Sequence, residues 1–248
     1  MWSGYKTYKI NEKNIMPKVA DLQMVKDISK CLFDAVPINF NNFIIQHPYI
    51  SSAFTTYNGK LINLSDKNAF LETRQNIFNT IDKYDLYANY YLVNSPWKLT
   101  WLKYTKDYIS NSEFSELLAD AWVTQENPND DKNVSRRTAI SWFKHADKKK
   151  LMTEEDFKIY KSLPDKIKVY RGVSVGRVEL GLSWTANKQK AQWFQHRFDE
   201  VHGTKKGYLL EALVDKKDIL AYFNTRGEDE LVVNVYAIRN SIKVIGGD

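Results

Sequence analysis

A single cysteine, Cys31, stands among 248 residues. No intrachain disulfide can form, and no cysteine cluster can hold zinc. Its neighbours Ile28, Leu32 and Phe33 lead us to expect a buried thiol on an amphipathic helix. Six prolines and ten glycines leave little material for long linkers. No apolar run approaches the roughly 18 residues that cross a bilayer, and Met1-Trp2-Ser3-Gly4-Tyr5-Lys6 lacks the charged-then-apolar pattern of a secretory leader. The expected compartment is a reducing cytoplasm. The four histidines are scattered without ligand spacing, and no phosphate-loop or Gly-x-Gly-x-x-Gly signature occurs.

Aromatic residues are plentiful: 15 tyrosines, 12 phenylalanines and seven tryptophans. They suit a core or a stacking surface. The net charge of +6 is spread along the chain. It permits a polyanionic partner such as RNA without the dense basic face of a dedicated nucleic-acid binder. The runs Arg136-Arg137 and Lys148-Lys149-Lys150 read as solvated helix faces, and as the basic patches available if RNA is the acceptor.

Helical periodicity dominates the first half. Leu22, Val25, Ile28, Leu32 and Val36 form one stripe that Pro37 ends. Ser65 is expected to cap a helix carrying Phe70, Ile77 and Ile81. Segments 86–93 and 97–109 follow, and Ser110 with Glu113 forms a capping-box pair ahead of Phe114, Leu117, Leu118, Ala121 and Trp122. The stretch Asn127-Pro128-Asn129-Asp130-Asp131 breaks the pattern, and helices are expected again over 134–146 and from Thr153. After Pro164 the texture alternates at 166–171 and 208–214. Residues 218–222, 231–236 and 242–245 also look extended, with one helix at 187–198 among them. Helices first and strands last indicate an α+β fold with a mixed, mostly antiparallel sheet. The expected organisation is a helical region over residues 1–110, able to pack as one body with a second region over 111–248.

Three islands in the strand-rich half carry chemistry. Arg171, in Tyr170-Arg171-Gly172, shares the inward face of Ile167 and Val169. A buried guanidinium needs partners, either a phosphate or a structural carboxylate. Ser183 and Thr185 place two hydroxyls on one side of a short strand, for a ligand or for capping the next helix. Glu228-Asp229-Glu230 opens a β-branched run, and a strand there would put both glutamates on one face, at a cost in repulsion.

Taken in order, Tyr170-Arg171, Ser183-Trp184-Thr185 and Glu228-Asp229-Glu230 resemble the arginine–serine–glutamate class of mono-ADP-ribosyltransferases, which includes bacterial and phage toxins. The likeness covers residues 167–235. Trp184 stands where many toxins carry a small residue, and Thr185 where a second serine is usual. The resemblance implies an ADP-ribosyltransferase core that uses NAD as substrate and needs no metal. Glu230 would then stabilise positive charge developing on the nicotinamide ribose, and Glu228 would orient or deprotonate the acceptor. Arg171 and Gly172 would hold the NAD phosphates or adjacent ribose, Ser183 would fix Glu230, and Thr185 would support the strand. Tyr222, Phe223 and Arg226 would recognise the acceptor, with the loop 199–207 covering the cofactor. The acceptor is expected to be a protein arginine, with an RNA or DNA base next, and the setting a toxin, effector or defence enzyme with or without an antitoxin. The competing expectation is a non-catalytic helical module binding RNA or protein, its transferase core decayed. Convergence of Arg171, Ser183 and Glu230 on one cleft separates the two.

Overall fold

The computed structural model describes residues 21–42, 44–57, 59–202 and 206–246. Helices α1 (Leu22–Ala35), α2 (Lys67–Lys83), α3 (Leu86–Tyr91), α4 (Lys98–Thr105), α5 (Asn111–Thr124), α6 (Arg136–His145), α7 (Lys148–Leu151) and α8 (Glu154–Ser162) fill the first part. A hairpin, β1 (Phe54–Tyr57) and β2 (Lys60–Asn63), lies between the first two. There follow β3 (Lys166–Val173), β4 (Ser183–Thr185), α9 (Lys188–His196), α10 (Asp199–His202), β5 (Tyr208–Asp215), β6 (Ile219–Phe223), β7 (Glu230–Val233), α11 (Val235–Ile238) and β8 (Lys243–Gly246). The class is α+β, as expected from the order of elements.

Local chemistry explains most boundaries. Asp21 accepts from the Met24 N–H at 3.1 Å and starts α1. The Ser110–Glu113 capping box is complete at the head of α5, and Ser135 and Thr153 cap α6 and α8. Each such cap satisfies N–H groups that a helix start leaves orphaned. Helix α2 is capped by Asp66, one residue beyond the expected Ser65, because the Asp66 carboxylate takes the Ala69 N–H at 2.9 Å.

Several expectations need correction. Cys31 is exposed: Val25, Ser29, Leu32 and Phe33 occupy the buried stripe of α1, and Cys31 falls off it. The hairpin was hidden among helical signals, although Asn58-Gly59 is a turn signature and Gly59 adopts φ +74°. The extended stretch expected at 231–236 ends at Val233, where Asn234 N–H bonds to Asp218 O at 2.8 Å and the chain turns into α11. Lys148 is not a solvated lysine: its ammonium donates to Phe143 O and Leu220 O, both at 2.6 Å, and burial lowers its pKa to about 8. The loop 199–207 lies partly outside the described residues, as does Met1–Lys6.

Strand order β6-β7-β4-β3-β5-β8, antiparallel throughout, is what positions the site. It brings the three motif-bearing strands β3, β4 and β7 side by side, although α9, α10, β5 and β6 intervene between β4 and β7 along the chain. Helices α5 and α6 cover the β6–β7 end: Trp122 meets Phe143 edge-on with ring centroids 5.0 Å apart, and Phe143 lies 6.3 Å from Phe223. Helix α9 lies against β3 so closely that a Cβ on Gly172 would sit 2.0 Å from Ala191 O. One apolar core runs through helices and sheet, from Val25 and Leu102 to Trp184 and Val233. A smaller cluster, Phe33, Ile45, Ile50 and Leu64, joins α1 to the hairpin region.

Candidate active site

The pairing register builds the site. Tyr170 lies opposite Thr185, and Thr185 opposite Glu230, so β3, β4 and β7 present one row across the sheet. Ser183 is two residues from Thr185 and shares its face. The cleft above this row encloses about 800 Å³ including its open mouth, and Arg171, Gly172, Ser183, Thr185, Arg226, Glu228 and Glu230 all line it. Seven of the residues singled out in the sequence therefore meet in one place.

Glu230 is the centre. Its Oε1 accepts the Trp122 indole N–H at 2.9 Å, and the Ser183 hydroxyl donates to the same carboxylate. Burial raises its pKa above the ordinary glutamate range, the two donors oppose that rise, and the neighbouring Glu228 charge adds to it. Ser183 is itself held. Asn129 Nδ2 donates to Ser183 Oγ at 2.9 Å, while Asn129 Oδ1 accepts the Leu182 N–H at 2.5 Å. A relay thus runs from the 128–130 turn through Ser183 to the carboxylate, and both amide groups of the buried Asn129 are used.

Glu228 reaches the cleft by another route. Strand β7 begins only at Glu230, and Asp229 sits at φ +49°, a left-handed conformation that breaks the period of two. The expectation that the two glutamates share a strand face is corrected accordingly; the turn, not the pleat, brings Glu228 to the rim. Asp229 is fixed by Lys190 and by the Tyr222 hydroxyl at 2.7 Å, with the lysine holding its pKa low. Glu228 pairs with Arg226 at 2.7 Å.

Arg171 is buried, 8% exposed, and its guanidinium is largely committed. Nε donates to Glu179 O at 3.2 Å, Nη1 to Ser183 O at 2.7 Å and Nη2 to Val178 O at 2.9 Å. Burial brings its pKa down to about 10, with the charge of Glu230 pushing back, so the group stays cationic at neutral pH. A side chain on Gly181 would strike it, a Cβ lying 2.3 Å from Nη2. Arg171 thus shapes the loop leading into β4, and three of its five N–H donors are spent there.

Other expected roles shift. Thr185 is 4% exposed and its Oγ1 accepts the Asn187 N–H at 3.1 Å, holding the turn ahead of α9, while Asn187 itself caps that helix through the Gln189 and Lys190 N–H groups. Gly172 allows the close approach of α9. Tyr222 and Phe223, expected to recognise the acceptor, are buried at 6% and 4% and are not among the residues lining the cleft; all five residues of β6 are buried, with Phe223 against Phe143 of α6 and the Tyr222 hydroxyl tied to Asp229. Arg226 alone of that trio is at the rim. Sequence reasoning missed Trp122, which sits on an apolar helical stripe, and Asn129, which looked like punctuation. It also missed Glu126, Arg177 and Arg197, which line the same cleft. Comparison with protein-family models, curated proteins and solved structures returns no match.

Proposed function

We propose that this chain is an NAD-dependent mono-ADP-ribosyltransferase that delivers ADP-ribose to a macromolecular acceptor, in the role of a toxin, effector or defence enzyme. The observation that supports it is the convergence of Glu230, Ser183 and Arg171 on one cleft from three adjacent strands. The rival reading as a decayed module has no comparable support, because a relic need not keep a part-buried carboxylate with two dedicated donors.

The residues divide the task. Cleavage of the bond between nicotinamide and ribose leaves the electron pair on the ring nitrogen, so the leaving group departs neutral and positive charge builds on the sugar. Glu230, ionised and aimed by Trp122 and Ser183, stabilises that charge. Its partial burial strengthens the interaction, since the local dielectric is low. Arg171 keeps the β4 strand in register and lends positive potential to the cleft. Glu228 orients the incoming nucleophile and takes its proton as the new bond to the sugar forms. This carboxylate already carries a guanidinium, that of Arg226, which favours a protein arginine as acceptor. No metal enters this scheme.

The test is incubation of the purified chain with labelled NAD and a lysate divided into protein, RNA and DNA fractions. Label in the protein fraction, lost in Glu230→Gln, is the expected result. A chain that neither binds nor consumes NAD with any fraction would overturn the proposal.

A further inference from the structure

Arg171 spends most of its donors on backbone carbonyls, so the anion-binding capacity of the cleft must come from elsewhere. Two other guanidiniums line it. Arg177, on the loop between β3 and β4, and Arg197, at the C-terminal end of α9, both reach the same carboxylate, that of Glu126. Arg177 Nη2 lies 3.0 Å and Arg197 Nη1 3.1 Å from Glu126 Oε1. Arg197 Nη2 is 3.4 Å from Oε2. Both planes rest near the Phe198 ring, at 5.2 and 5.3 Å from its centroid, which fixes their spacing.

The charge balance is unequal. Two guanidiniums share one carboxylate, leaving a net positive charge at this pair. Such a fork suits an anion of two charges better than the one carboxylate it holds. The Glu126 side chain is 55% exposed, so this contact is weak and readily exchanged. We propose that Arg177 and Arg197 form a diphosphate site in the cleft, and that Glu126 occupies it as an internal substitute until a diphosphate displaces it. The source of that diphosphate, a dinucleotide, rests on the transferase reading above; the site itself does not.

Glu126 then acts as a built-in competitor. It keeps the two arginines ordered without a ligand and sets a threshold that ordinary monoanions do not cross. It follows the last turn of α5, the helix that also supplies Trp122, so one short segment carries both the donor to Glu230 and the competitor at the anion site.

The experiment is calorimetric titration of the full chain with inorganic pyrophosphate and, separately, with ADP-ribose, in low and high salt. Wild type is expected to bind both, more weakly as salt rises. Glu126→Gln is expected to bind each about three- to fivefold more tightly, the size anticipated when an exposed ion pair need not be broken first. The double variant Arg177→Gln, Arg197→Gln is expected to lose at least about tenfold, with thermal melting to establish that it is folded. Binding of pyrophosphate that is the same in wild type, Glu126→Gln and the double variant overturns the proposal, as does absence of binding by all three. The two readings fail separately. Pyrophosphate binding with the expected pattern in a chain that never consumes NAD sinks the transferase reading and keeps the site; NAD consumption with a KM indifferent to both variants does the reverse.

Discussion

Two hollows in the described residues differ sharply in what lines them. The cleft over β3, β4 and β7 encloses about 800 Å³, and a second hollow beside the β1–β2 hairpin and α2 encloses about 880 Å³, both figures including open mouths. Their linings differ in kind. The second is lined by Tyr49, Ser51, Thr55, Asn76 and Ile77, with Glu72 as its acidic group. The cleft gathers Glu126, Glu228 and Glu230 with Arg171, Arg177, Arg197 and Arg226. Concave space is inexpensive in a folded chain. Opposed charges brought out of bulk water are costly, and a fold that assembles them from distant segments does so against its own stability. Size says little here; the cost of the lining says much.

The sharpest way to break this comparison is Glu230→Gln. NAD turnover is expected to fall about 10²- to 10³-fold, as when a preorganised charge-stabilising group is removed. Stability should move the other way. The Glu230 pKa is raised in the folded state, so the folded chain binds that proton more tightly than the unfolded chain. The resulting stabilisation is complete at acid pH and is lost as pH rises through the folded-state value. At neutral pH the charge is a burden, and the neutral amide should raise Tm by about 2–4 °C for each kcal/mol relieved. A scan showing a lower Tm with turnover intact would reverse the contrast between the hollows.

Next in size is Asn129→Ala. It leaves the Leu182 N–H without its acceptor, at a cost of about 1–3 kcal/mol in a denaturant titration. It also frees the Ser183 hydroxyl, so kcat should drop by about tenfold or more with KM less affected. Unchanged kcat in a destabilised but folded protein would make Asn129 a purely structural residue.

A finer probe is the pH–rate profile. Because burial raises the Glu230 pKa, the acid limb should lie above the ordinary glutamate value of about 4.3. The indole N–H of Trp122 favours the charged form, so Trp122→Phe should move the limb further upward. A limb that stays put would reduce Trp122 to packing. The smallest effect is expected in the other hollow: Glu72→Gln should leave turnover unchanged and stability within about 0.5 kcal/mol. A loss of NAD turnover there would transfer interest to the wrong pocket.

Much of this was legible in the residues. Caps at Ser110 and Thr153, the alternation of 166–171 and 208–214, and the order of Arg171, Ser183 and Glu230 needed no coordinates. What escaped has physical reasons. A period of 3.6 puts Trp122 in line with Phe114, Leu118 and Ala121, and says nothing of where its N–H points. Asn129 lies in a segment whose composition signals only a break in helix. Alternation in 218–222 marks inward positions but not that helices seal both Tyr222 and Phe223. Asp229 is left-handed, and for a residue other than glycine no pattern announces that. Arg171 was rightly read as inward, while its engagement with three carbonyls depends on a loop path that pattern cannot supply.

The indole on Glu230 comes from a position 108 residues earlier in the chain. A shortened protein beginning at β3 would retain every motif by which the site can be spotted, yet its carboxylate would lack a donor and its serine would lack the amide that steadies it. Searches or engineering that treat the three motifs as a portable cassette would carry away the letters and leave behind part of the chemistry.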